Sequence, residues 1–380
     1  MTKETKKSIR WTGAVMSLML TGTATTSYAQ GNGLAGITEG YDPKGEIKGF
    51  FVLNEGNMGS NKATLDYFDY TTGIYHKNIY AERNPTVTKE LGDVGNDLQI
   101  YEDRLYAVIN CSNLVEVMEL STAVHIGSFS IPNCRFIVFS GSYAFVSSYA
   151  GELQGSSARL GYVAKVDLNS LEVVAECSVG YQPEEMVIVG DKLYVANSGG
   201  YMWPDYDTTI SVIDLESFEQ VEQIEVAVNL YHVELDPYGY IWVSSRGDSL
   251  STPETPSAIY LVDPSSSQVV KSFDLPNNNM TLAGDLLYVL GEEGCTVIDT
   301  QSQEIIVEDF ITDETFDRIT VPYGVAFNQE YQELIITDAD DYVTPGKLHC
   351  YAADGTLRWS VAITGDIPSS VAFTNVGLEF

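Results

Sequence analysis

Beyond residue 48, apolar and polar positions alternate in short runs broken by Gly, Asp, Asn and Ser turns, and no segment sustains a helical apolar period. One strand ending in a polar turn recurs seven times: FFVLN (50–54), LYAVIN (105–110), AFVSSY (144–149), LYVAN (193–197), IWVSS (241–245), LYVLG (287–291) and LIITD (334–338). A second strand follows each one and ends at an acidic turn, marked by Asp69, Glu119, Asp167, Asp214, Asp263, Asp299 and Asp354. The repeat spacing exceeds the ~40–45 residues of a WD40 blade, and the GH and WD signals of that blade are missing.

Two further strands complete each unit. Segments 173–180, 220–226 and 268–275 predict outer edge strands. Segments 186–190, 232–236, 280–284 and 324–328 predict inner strands that run into tight turns. Four-stranded units repeated about seven times predict an all-β, seven-bladed β-propeller of antiparallel blades. The last inner strand, SSVAF (369–373), lacks a successor, and FFVLN at the start is the strand it lacks. The final blade is therefore expected to combine N- and C-terminal strands, which closes the ring without a free edge.

The N-terminus reads as a targeting segment. Lys3, Lys6, Lys7 and Arg10 precede a short apolar run, Ala14 to Leu20, and Ser27-Tyr28-Ala29 offers a cleavage site before Gln30. The expected organisation is a signal peptide (1–29), a leader (30–47), the propeller (48–374) and a tail (375–380). The apolar run is far below the ~20 residues of a membrane helix, and no cysteine near the cleavage point would take a lipid. The expected location is the periplasm or the outer cell surface.

Charge narrows the partners. With 20 basic and 53 acidic residues the formal charge is −33, which repels nucleic acid and anionic lipid. The five cysteines are scattered, with no metal-ligand spacing. Cys111 and Cys134 would lie near one face and are a candidate disulfide.

The loop lengths predict a working face. Turns after the inner strand and after the third strand are short, whereas segments 54–62, 149–161, 197–208, 245–257 and 338–346, and the inter-blade segments 80–95 and 311–322, are long and fall on the opposite side. That side carries Tyr149, Tyr201, Trp203, Tyr206, Tyr231 and Tyr342 as flat surfaces. Asn54, Asn110 and Asn197 serve as paired donors and acceptors, and Arg246 is one of few cations. These ten residues are the expected ligand-binding set for a large, polar small molecule. No catalytic residue and no metal site is expected. His232, at the start of an inner strand, is the one histidine near this face, and the acidic 338–346 loop is the one candidate for Ca²⁺.

KLYVAN (192–197), TTISVIDLES (208–217) and VGYQPEEMVIVGD (179–191) resemble the YVTN or YncE-like propeller repeat, over residues 48–374 as a whole. The long Tyr-rich loops and export signal are further similar to the surface propellers of gut Bacteroidetes that capture cobalamin. That resemblance implies noncatalytic capture of cobalamin or a related corrinoid, as bound ligand rather than cofactor, and hand-over to an outer-membrane transporter by a monomer. Those proteins are lipid-anchored, and this chain lacks the lipobox cysteine. The alternatives are an envelope protein-binding scaffold and, in a third place, a propeller lyase or hydrolase.

Overall fold

A computed structural model describes residues 45–379, apart from 88–89, 152 and 154–157. The signal peptide and nearly all of the leader lie outside the described residues. The chain forms seven four-stranded antiparallel sheets arranged as a seven-bladed β-propeller. In the first blade the C-terminal strand Pro368–Thr374 pairs with Gly49–Asn54, which is followed by Thr64–Asp69 and Ile74–His76. This is the closure expected from the sequence.

Side-chain alternation along the second strand of each blade builds the core, because successive residues face opposite neighbours. In Gly49–Asn54, Phe50 and Val52 pack with Ile335 and Leu348 of the seventh blade, while Phe51 and Leu53 pack with Leu105 and Ala107 of the second. Seven apolar clusters result, each bridging two neighbouring blades. Among the described residues each blade thus shares its core with its neighbours, and stability rests on the interfaces between blades.

The acidic turns cap the hairpins between third and outer strands. Asp167 accepts N–H bonds from Asn169 (2.8 Å) and Ser170 (3.0 Å), and Asp214 and Asp263 do the same for Ser217 and Ser265. Short Asx turns keep that face flat. On the other face the 80–95 connection contains a single helical turn, Ile79–Arg83, whose Ile79 and Tyr80 are buried.

Two expectations need correction. All five cysteines are free thiols: Cys134 is buried and turns its Sγ toward the Ile109 and Leu114 carbonyls, so it does not bridge to Cys111. The inner strands also begin earlier than their apolar patterns. They run Gly95–Tyr101, Cys134–Ser140, Pro183–Val189, Leu230–Leu235, Asn279–Ala283 and Pro322–Asn328, with Pro368–Thr374 closing the ring. The extra residues, Glu184, Glu185, Tyr231, Asn279 and Tyr323 among them, sit at the loop-rich end.

Candidate functional site

Six of the seven inner strands start with a β-bulge. In every inner strand except Asn279–Ala283, the register against the second strand slips at the loop-rich end. A bulge places two residues opposite one, bends the strand and re-aims its side chains. Six bulges around one axis thereby turn side chains into the channel that a regular ladder would send between blades.

The surplus amides are satisfied locally. Phe136 N–H donates to Ser147 Oγ (3.1 Å), His232 N–H to Ser244 Oγ (2.9 Å) and Gly324 N–H to Thr337 Oγ1 (2.7 Å). The acceptors occupy equivalent positions on the second strands, which explains hydroxyls in otherwise apolar runs. At Gly324 a Cβ would stand 2.5 Å from the Ser369 carbonyl, so a side chain would force the seventh blade off the first.

The bulges surround an axial cavity of about 840 Å³, whose wall includes Asn96, Phe136, Glu185, Tyr231, His232, Tyr323 and Ser369. At its mouth Arg246 lies 3.3 Å above the Tyr231 ring. Tyr323 donates to Glu55 (2.9 Å) and meets Tyr342 edge-on at 6.2 Å. Behind this rim, the buried Glu184 accepts from Arg135 Nε (3.0 Å), Ser198 Oγ (3.2 Å) and the Tyr149 hydroxyl, with Arg246 Nη1 at 3.8 Å. One carboxylate thus holds both arginines and a tyrosine in place.

Burial shapes the acids of the cavity. It pushes Glu55 up to about 7, against the pull of its Tyr323 hydrogen bond and the two arginines. Asp97 rises to about 7, mainly by burial, with the N–H of Ile137 opposing and the Glu185 charge adding to it. Glu234 rises to about 8 through burial and then Glu185.

With this geometry in hand, the sequence can be set against known proteins. It matches the family described as domain of unknown function DUF5074, over residues 48–344. The chain belongs to this family. No functionally curated protein matches it. Among solved structures, this DUF5074 propeller is similar to a quinonprotein alcohol dehydrogenase-like protein from Bacteroides thetaiotaomicron. That pair has a TM-score of 0.60 and 14% identity, covering 86% of this chain and 78% of the other. It is also similar to apo AztD from Citrobacter koseri (TM-score 0.52, 13% identity, coverage 86% and 99%). Hydrazine synthase from Kuenenia stuttgartiensis is a further match (TM-score 0.52, 17% identity, coverage 66% and 74%). At such identities the likeness is one of fold.

The expected ligand set of this DUF5074 member divides in two. Tyr231, Arg246 and Tyr342 line the cavity mouth. Tyr149 lies just behind, its ring 4.9 Å from the Arg135 guanidinium carbon, and Tyr201 packs edge-on against it at 6.3 Å. Trp203, on the same loop as Tyr201, is half exposed, and Tyr206 is partly buried.

The three asparagines point elsewhere. Asn54 donates to Thr64 and Asp66, Asn110 to the Cys134 carbonyl, and Asn197 to Thr209 and Ser211 while accepting from Gly180 N–H. All three are buried, and they stitch strands and blades together rather than facing a ligand.

The acidic 338–346 loop is likewise engaged. Asp338 accepts from Val321 and Asp340 N–H, Asp341 accepts from Thr344, and Lys347 lies 3.6 Å from Asp340. Among the described residues no group of His, Cys, Asp and Glu is placed to hold a metal ion.

Glu55, Glu184, Glu185 and Glu234 were not anticipated. The available signal was acids inside or beside apolar strands: the pair in PEEM (183–186) and the Glu in HVELD (232–236).

Proposed function

We propose that this propeller is a noncatalytic binding protein that captures a small polar ligand, a corrinoid such as cobalamin, outside the cytoplasm. The observation that carries this reading is the mouth of the axial cavity. Tyr231, Tyr323 and Tyr342 present rings around an opening of a size that suits small molecules, and Arg246 supplies a cation. The half-exposed Tyr201 and Trp203 extend this aromatic surface along the adjoining loop. A corrin ring fringed with amides would stack on such rings and exchange hydrogen bonds with the rim. The YncE-like repeat and the N-terminal export segment support the same reading.

Calorimetric and spectroscopic titration with cobalamin tests it. Binding at micromolar concentration or tighter is expected, weakened by about tenfold in Trp203→Ala. No heat and no spectral shift at micromolar cobalamin would overturn the corrinoid assignment.

A second reading rests on the same loops. Met58, Leu250 and Val343 are each exposed on one of these loops, apolar side chains that suit docking to an outer-membrane transporter or another envelope protein. Capture of such a partner without cobalamin would favour that scaffold role, and turnover lost in His232→Ala would move the protein to the enzyme class.

A further inference from the structure

Inside the mouth, the cavity collects carboxylates without matching cations. Asp97 of the second blade, Glu185 of the fourth and Glu234 of the fifth all stand in its wall. None of the three forms an ion pair with Lys or Arg among the described residues. Arg135 and Arg246 are held by Glu184 at the rim. The three acids are within electrostatic range, since the Glu185 charge acts on both Asp97 and Glu234.

A second observation is independent of that charge. His232 is 8% exposed and lines the same cavity, and its Nε2 has no hydrogen-bond partner. Its Nδ1 lies 3.0 Å from Glu185 Oε2, an acceptor, so Nδ1 carries a proton, and in the tautomer this fixes Nε2 is an acceptor. A buried acceptor without a donor is costly and marks a place for one.

Asp97 already accepts from the Leu98 and Ile137 N–H groups and from Gln99 Nε2, whereas the two glutamates keep more of their acceptor capacity. Glu185 spends Oε2 on His232 and on the Val233 N–H (2.8 Å), and Glu234 receives only the Leu282 N–H at 3.3 Å. The wall therefore offers acceptors and negative charge and asks for N–H donors and positive charge. A metal ion needs several ligands converging on one point, and the described residues contain no such group. An ammonium group on a flexible chain needs no such convergence, because its three donors reach acceptors spread along a wall.

We infer that the axial cavity is a binding site for a protonated alkylamine, held by Asp97, Glu185 and Glu234 with His232 Nε2 accepting an N–H bond. This goes beyond the corrinoid reading and stands without it, because the amine site uses the cavity wall and the corrinoid site the rim and loops.

The test is calorimetric titration of the purified chain with cadaverine at low ionic strength and about pH 9, above the values to which burial lifts Asp97 and Glu234 while the amine stays protonated, with pentanediol as its neutral counterpart. Cadaverine should bind and pentanediol should not. Glu234→Gln and Asp97→Asn should each weaken cadaverine by about tenfold or more, the effect of losing a charge-assisted hydrogen bond. Cobalamin titrated into the same variants should behave as in the unaltered chain. Equal binding of the diol and the diamine, no binding of cadaverine at millimolar concentration, or unchanged affinity in both variants would overturn the site. Displacement of cadaverine by Ca²⁺ or Zn²⁺ at lower concentration would overturn the ammonium assignment. The diol comparison needs no substitution, so it decides even where a variant fails to fold.

Discussion

Glu184 is where the rim is most vulnerable. It is fully buried, and Arg135, which it holds at 3.0 Å, is nearly so. Replacing Glu184 by Ala removes the charge-assisted bond from Arg135 and leaves the Tyr149 hydroxyl without its acceptor, whereas Ser198 keeps the Gln182 carbonyl. A hydrogen bond to a charged group contributes ~1.5–3 kcal/mol and each neutral one ~1 kcal/mol. Stranding a buried guanidinium brings the expected loss to ~3–5 kcal/mol. Arg246, at 3.8 Å and a third exposed, adds little because solvent screens it. With ~2.1 cal/mol/K of unfolding entropy per residue in a domain of this size, the melting temperature should fall by about 4–7 °C. The assay is urea and thermal unfolding of Glu184→Ala, Arg135→Met and the double variant. The double variant should recover ~2 kcal/mol relative to the sum of the singles, because it removes the stranded charge. Additive singles that each lose less than ~1 kcal/mol would refute the claim that one buried carboxylate organises the rim.

Two further outcomes follow from buried polar groups. Asn197→Ala strands the Gly180 N–H, so it should cost ~1–3 kcal/mol in urea unfolding. It should leave ligand affinity within about twofold, and lost binding at unchanged stability would return Asn197 to the ligand set. Glu234 titrates at about 8 in the fold and at 4.5 when exposed. Between those values the folded chain holds a proton that the unfolded chain has released, so this group's contribution to stability falls as pH rises through the window. Relative to the unaltered chain, Glu234→Gln should therefore gain stability between about pH 4.5 and 8. Urea midpoints measured across that range check it, and parallel profiles for the two proteins would refute it.

What the sequence determined by itself was everything that depends on local alternation. A strand whose residues alternate between two apolar neighbours, as in FFVLN or LYAVIN, must lie between two blades, and seven such strands with a spare at each end of the chain set the ring and its closure. The Asx turns were equally legible, because Asp followed by Ser, Thr or Asn builds its own turn. The loop-rich face and four of its cavity residues, Tyr231, His232, Arg246 and Tyr342, could also be read off loop length and composition.

The side-chain directions at that face were decided only by the tertiary structure. Asn197 and Glu184 both sit at strand ends facing the same loops. The register places one inside its own blade and makes the other the anchor of the rim. The bulges that separate these outcomes arise because six inner strands must bend together around one axis. An alternation rule counts every residue once and has no place for a surplus one, so Phe136 and Glu185 enter the channel by a step that the pattern along a single strand does not record.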